Sequence, residues 1–398
     1  MRGALSRRFR AAFVADEEPP LWTRAFLLVC GTQLLAYSSY AAIHPTFAVY
    51  LETITHSESL IGVAFGAFTF AAVVARPVAG WLLDRVGRRG VQAIAAVALA
   101  GTTFSFTWAT VTWVAIGLRV LHGLAWGVSS TATPTIAADV VPSVRQSEGF
   151  AYFGIVPNIA LMMLPPAGLW IAHRYGFVMQ FAGAALLALL VLGPLAALEE
   201  TTPATRSAGE FYAPEALPAA ALVALGSIPV GAIDALLPLY APTVGLNNAG
   251  LFFTVMGGAI LLTRAVRGRL PGSIPALLLV SFVCQSAGLA LLALAPRLLV
   301  INRLPLGLLA GAAVFGVGFA LVFPLLQSVA VAATPESKNG SATATILIGM
   351  DLGVGLGAIG FGVLGDLVSF ASMYTAAAVV SLIGVLATVV VNLEDSTH

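Results

Sequence analysis

Arg76-Pro77-Val78-Ala79-Gly80-Trp81-Leu82-Leu83-Asp84-Arg85-Val86-Gly87-Arg88-Arg89 joins two long apolar stretches through a short, densely charged turn. Glycine at 80 and 87 permits close helix approach and a tight turn, because no Cβ stands in the way. Asp84 places a carboxylate where it can stabilise a helix N-terminus from the other half of the chain, and the arginines supply ion pairs at the cytoplasmic surface. A loop on the positively charged side of a membrane accounts for the arginines alone. It does not account for the order Gly-x3-Asp-Arg-x-Gly-Arg-Arg.

The chain around this turn fits a bilayer. Of its 398 residues, 59% are hydrophobic and 9% charged, whereas soluble domains carry roughly 25% charged residues. So few charges cannot cover a water-exposed surface. Apolar residues come in blocks, such as Ala93–Val97 continuing through Leu99–Trp108, and Phe181–Leu198, which is uncharged until Glu199. Blocks of about 20 such residues match the ~30 Å hydrocarbon core when helical. Lipid offers backbone groups no partner, so each block is a helix or a strand of a closed barrel. Strand-like alternation is missing, and the expected class is an all-α polytopic membrane protein. A net charge of +1 argues against a nucleic-acid surface, which needs a clustered basic face. Cys30 and Cys284 lie in apolar segments and read as buried thiols, with no spacing that suggests a disulfide framework, a metal site or a cofactor.

Hydropathy and turn residues predict helices near 24–49, 59–83, 91–110, 113–138, 146–172 and 177–197, then near 217–242, 249–268, 274–296, 304–332, 340–366 and 370–392. The domain reading is a tail (1–23), a six-helix bundle (24–197), a linker (198–216), a second six-helix bundle (217–392) and a short tail (393–398). Loop cations set the orientation. Arg2, Arg7, Arg8, Arg10, Arg24, Arg85, Arg88, Arg89, Arg145, Arg206, Arg267, Arg269 and Lys338 fall on one side, against Arg174, Arg297 and Arg303 on the other. Both termini are therefore expected in the cytoplasm. The basic N-terminus runs into the first span with no small-residue cleavage site, so it reads as a retained tail. The halves also repeat: Gly62, Phe65, Arg76, Gly80 and Leu82 recur as Gly250, Phe253, Arg264, Gly268 and Leu270, and Pro142, Arg145 and Asn158 align with Pro335, Lys338 and Asp351. Repeated six-helix halves place a site near the midplane between them.

With this length, orientation and repeat, the segment from Gly80 to Arg89 resembles the loop signature of the major facilitator superfamily. The resemblance covers essentially the whole chain. It implies twelve transmembrane helices in two pseudo-symmetric bundles that rock about a central cavity, in the inner (plasma) membrane. It also implies a conformational latch formed by Asp84 and Arg88, with Gly80, Arg85 and Gly87 completing the signature and Asp139 a candidate third member. The second-half loop, Arg264-Ala265-Val266-Arg267-Gly268-Arg269, lacks the Asp, so one asymmetric latch is expected. Arg119-Val120-Leu121-His122-Gly123 resembles the Arg-x3-Gly element on the fourth helix of drug and proton antiporters in that superfamily. There the arginine is taken to influence protonation of a nearby carboxylate.

An arginine inside a span costs roughly 2.5 kcal/mol or more, and so faces a cavity, a carboxylate or backbone carbonyls. Asp234 and Asp351 are the acids well inside predicted helices and are the candidate proton-coupling residues with Arg119; the alternative is a structural hydrogen bond for each. Many proton-coupled exporters carry an acid on the first helix, and none lies here between Arg24 and Glu52. Gln33, Tyr37, Tyr40 and His44, spaced for one helical face, form a polar stripe that points away from lipid. With Trp126, Asn158 and Gln327 they are the candidate substrate cavity, lined further by Phe323 and Met350; simple helix packing is the other reading. Around Asn158 the fifth helix is Pro- and Gly-rich, from Gly154 through Pro157 to Pro165, Pro166 and Gly168, and resembles an exporter signature in composition but not in order. No His-Glu-x2-His, Gly-x-Ser-x-Gly or phosphate-cradling Gly-rich loop followed by Lys is present, so no enzyme or ATP-driven pump is expected. The expectation is a monomeric, proton-coupled exporter of a small, partly apolar organic solute or drug, with an uptake symporter or facilitator for a small metabolite as the alternative.

Overall fold

The protein is described here by a computed structural model covering residues 19–200, 212–298, 300–301, 304–335 and 338–390. Most of the two expected tails, Arg206 with the middle of the linker, and Arg303 lie outside the described residues.

The first half comprises α1 (Arg24–Glu52), α2 (Glu58–Arg85), α3 (Arg88–Ser105), α4 (Thr112–Val140), α5 (Gln146–Phe153), α6 (Val156–Tyr175), α7 (Phe177–Leu190) and α8 (Leu192–Ala196). The second comprises α9 (Leu217–Thr243), α10 (Gly250–Val266), α11 (Ile274–Leu294), α12 (Leu306–Ala332), α13 (Asn339–Leu367) and α14 (Phe370–Val390). A small antiparallel pair, β1 (Val300–Ile301) and β2 (Leu304–Pro305), precedes α12. Among the described residues eleven helical segments are long and apolar enough to cross a membrane, and the chain is a multi-pass, all-α membrane protein. The twelfth long helix, α4, has 29 residues but carries and buries Arg119, His122, Ser129 and Thr133. Its polarity follows from facing protein on more than one side. At ~1.5 Å per residue, α1 with 29 residues exceeds the ~30 Å core and must tilt or protrude.

Local chemistry sets the helix ends. The Oγ1 of Thr23 accepts from the Phe26 N–H at 3.2 Å to open α1, and Ser57 does the same for α2 through the Leu60 N–H at 3.3 Å. Gly87 turns the chain between α2 and α3 at φ 108°, and Gly176 between α6 and α7 at φ 86°, conformations that L side chains rarely adopt. The fifth and sixth expected spans are each interrupted, after Phe153 and after Leu190. Both breaks fall four residues before a proline, Pro157 and Pro194, whose ring clashes with that carbonyl.

Packing repeats with the sequence. Helix α2 lies on α4 as α10 lies on α12; α3 lies on α4 and α7 as α11 lies on α12 and α14; α1 lies on α6 and α7 as α9 lies on α13 and α14. Between the halves α2 meets α13, α10 meets α6, and α1 meets α9. Glycine makes the first of these seams possible. A Cβ at Gly62 would strike the Ala358 carbonyl, and one at Gly66 the Ile359 side chain.

Among the described residues the two halves share a core at one end only. Phe47, Phe65 and Phe106 of the first half form one apolar cluster with Ile233, Leu236 and Phe361 of the second. This end carries the turns at 53–57, 176 and 244–249, and is called the hairpin end. At the other, linker end the cores are separate: Phe26, Ile136 and Leu195 belong to one, Phe282, Leu326 and Ile346 to another. The halves therefore meet at the hairpin end and along the seams to mid-depth.

Candidate functional site

Helix α1 presents Tyr37, Tyr40 and His44 on one face toward α4 and α9. The Tyr40 ring stacks on Trp126 at 4.3 Å with 13° between planes, and Tyr37 meets the same indole edge-on at 4.9 Å. The hydroxyl of Tyr40 lies 3.4 Å from Nε2 of His44, which in turn lies 3.3 Å from Oδ2 of Asp234 on α9. A continuous run thus leads from the aromatic group in the first half to a carboxylate in the second.

The other intramembrane acid has a partner that sequence reasoning missed. Arg76 donates from Nε and Nη2 to Oδ2 of Asp351 at 2.9 and 2.7 Å, with Nη1 3.4 Å from the Ser130 hydroxyl. Arg76 opens the charged-turn segment, and its position inside an apolar span is the sequence signal for such a partner. Among the described residues two side-chain contacts to an intramembrane carboxylate cross between the halves, the ion pair Arg76–Asp351 and the His44–Asp234 contact, which is an ion pair only when the imidazole is protonated. Their repeat mates form no equivalent. Arg264 donates to the Ala320 carbonyl at 3.2 Å, and Asn158 donates to the Gly154 carbonyl of its own helix at 2.8 Å. One seam carries charge, and its pseudo-symmetric mate does not.

Arg119 is fully buried (0% exposed) but bonds to neither acid. Its Nη1 lies 3.1 Å from Nδ1 of His122, and its guanidinium sits over the rings of Phe47, Phe65 and Phe68 at 4.4–4.8 Å. Nε and Nη2 have no hydrogen-bond partner among the described residues. His122, the second residue missed, also approaches the Thr103 hydroxyl at 3.4 Å. Gln33 is buried and Gln327 half-buried, and neither bonds to the run among the described residues; Asn158 likewise stays apart from it.

At the linker end, Arg88 donates to Asp139 from Nε and to the Leu83 carbonyl from Nη1 at 3.0 Å, while Asp84 lies 3.6 Å from Nη1. Asp84, Arg88 and Asp139 are therefore neighbours, whereas Arg85 instead covers the Trp81 ring at 4.6 Å. The helix N-terminus capped by a nearby carboxylate here is that of α3, through Glu200 accepting from the Arg89 N–H at 3.1 Å. A Cβ at Gly80 would meet no atom within 4 Å, so close approach is not used at that position in this arrangement.

Two pseudo-equivalent helical halves, joined through the carboxylates of Asp234 and Asp351 around an aromatic and polar group, define a two-bundle membrane transporter. The Major Facilitator Superfamily profile matches residues 29–301, and the chain belongs to that superfamily. An uncharacterized MFS-type transporter of Burkholderia mallei is 31% identical, covering 83% of this chain and 82% of that one. The staphylopine export protein of Staphylococcus aureus is 26% identical, covering 88% of this chain and 91% of its own. Among solved structures, a POT family transporter superposes with TM-score 0.80 at 12% identity, covering 94% of this chain and 97% of that one. The nucleoside transporter NupG superposes at 0.74 with 15% identity, covering 92% and 99%.

Proposed function

We propose that this transporter works by alternating access in the cytoplasmic membrane, with both termini inside, and exports a small, partly apolar organic solute in exchange for protons. The observation that carries the reading is that, among the described residues, the His44 and Arg76 contacts between the halves are each made to an intramembrane carboxylate, Asp234 or Asp351. Protonating either acid removes the charge that holds its partner, so proton uptake and separation of the halves become one event. Arg119 adds buried positive charge beside the Asp234 branch. Tyr37, Tyr40 and Trp126, together with Gln33, Asn158 and Gln327, supply a surface for a solute with aromatic or apolar character. The bias of loop cations supports the orientation, and similarity to a protein named as an exporter supports the direction. The Asp84–Arg88–Asp139 group acts as the latch of the linker end.

The test uses inverted membrane vesicles from a strain lacking its own exporters, carrying the full chain and an imposed pH gradient. A panel of dyes, antibiotics and amino-acid-derived metabolites is screened for uptake into the vesicles. Gradient-driven uptake is expected for the native chain and its loss for Asp234→Asn or Asp351→Asn. If both variants keep gradient-driven uptake, the proton site is wrong; gradient-independent or reversed movement favours the facilitator or symporter.

A further inference from the structure

We propose that Asp366 is a positioning residue of the transport cycle: it caps helix α2 from the opposite half and so holds the hairpin end closed. Asp366 lies one residue before the end of α13. Its Oδ1 accepts the Glu58 N–H at 2.7 Å, and its Oδ2 accepts the Ser59 N–H at 3.2 Å and the Ser57 hydroxyl at 2.8 Å. Residues 57–59 are the cap and opening turn of α2, whose first N–H groups have no partner inside their own helix. Ser57 satisfies the Leu60 N–H locally, at 3.3 Å. The two before it are satisfied by a side chain more than 300 residues away, on the other half. A carboxylate at a helix N-terminus gains from the helix dipole as well as from the hydrogen bonds.

Small residues bring the carboxylate within reach. A Cβ at Gly362 would lie 2.6 Å from the Glu58 carbonyl, and one at Gly365 3.1 Å from the Glu58 side chain. The pseudo-symmetric seam is built differently. There Asn248 caps its own helix, accepting the Gly250 N–H at 2.9 Å, and only its amide reaches across to donate to the Pro166 carbonyl at 3.2 Å. Parting the halves would leave the Asn248 cap of α10 in place but would leave α2 with Ser57 alone, its Glu58 and Ser59 N–H groups having lost their acceptor. Asp366 is exposed at the rim, so water replaces its bonds once the seam opens, and the cap acts as a bias between states rather than a permanent tie. This assignment rests on the alternating-access reading.

Pulsed EPR on the full chain in nanodiscs tests it. Cys30 and Cys284 are replaced by Ser, and spin labels are placed at Thr53→Cys and Asn247→Cys, exposed positions on hairpin-end turns of opposite halves. Asp366→Ala is expected to raise the ratio of long to short distances roughly five-fold, the ratio equivalent of losing one helix cap. Asp366→Asn keeps a carbonyl acceptor and is expected to give a smaller rise. Ser369→Ala is the control, because Ser369 caps α14 within its own half by accepting the Ser372 N–H at 3.3 Å; its ratio should match the parent. An Asp366→Ala ratio equal to the parent, with or without a fall in Tm, overturns the proposal. Failure of alternating access shows differently, as a parent protein fixed at one distance at every pH and with Asp351→Asn as well.

Discussion

Arg76 and Asp351 are each about 15% exposed, at 15% and 14%, so both have lost most of their water. Removing one partner leaves the other charge poorly solvated, which is more damaging than removing both. Arg76→Ala is therefore expected to destabilise the protein by about 3 kcal/mol, and Arg76→Ala with Asp351→Ala by clearly less, as read from thermal unfolding in detergent. Additive losses would show the pair to be uncoupled. The acids themselves were legible in the sequence, because a charge inside an apolar span stands out. Their partners were not. Arg76 and Asp351 are 275 residues apart, and hydropathy records that a charge is in a span without recording which neighbour it faces. The stripe on α1 shows the same limit. Its spacing placed Gln33, Tyr37, Tyr40 and His44 on one face, yet Tyr37 and Tyr40 meet Trp126 and His44 meets Asp234, while Gln33 joins none of them.

Helices in lipid associate through close backbone packing rather than burial of apolar surface from water. The α2–α4 crossing depends on this: a Cβ at Gly123 would strike the Phe68 carbonyl, and one at Gly127 the Ala72 carbonyl. Backbone cannot yield there. Gly123→Leu is expected to abolish a monodisperse peak in fluorescence-detected size exclusion. Gly80→Ala is expected to keep the peak and raise Tm slightly, since alanine is better by up to about 1 kcal/mol in a helix and the space is open. A folded Gly123→Leu protein would refute the packing argument. Helix positions were readable from the sequence to within a few residues. The breaks after Phe153 and Leu190 were not, because Pro45, Pro77 and Pro134 stay inside unbroken helices while Pro157 and Pro194 follow interruptions. The packing around a proline decides which outcome holds.

Across the whole molecule, the same substitution has different consequences within a half and between halves. Gly357 lies against the Ile228 carbonyl inside the second half, and Gly62 against the Ala358 carbonyl across the seam. Gly357→Val is expected to lose folded protein. Gly62→Val is expected to give folded protein whose hairpin end cannot close and whose transport is lost, checked by size exclusion and the vesicle assay together. Loss of folding by both would mean that the halves do not behave as separable units. The charged turn at 76–89 and the apolar blocks around it determined the membrane class, the helices and the repeat. They do so because helix length, lipid solubility and loop charge are properties of local composition. Which end is closed, which seam carries charge, and that Asp366 and Arg76 are seam residues were decided only by tertiary structure. Those facts depend on groups brought together from distant parts of the chain, and the positions at which the halves differ in sequence, such as Asp351 against Asn158, acquire their consequences only through packed contacts.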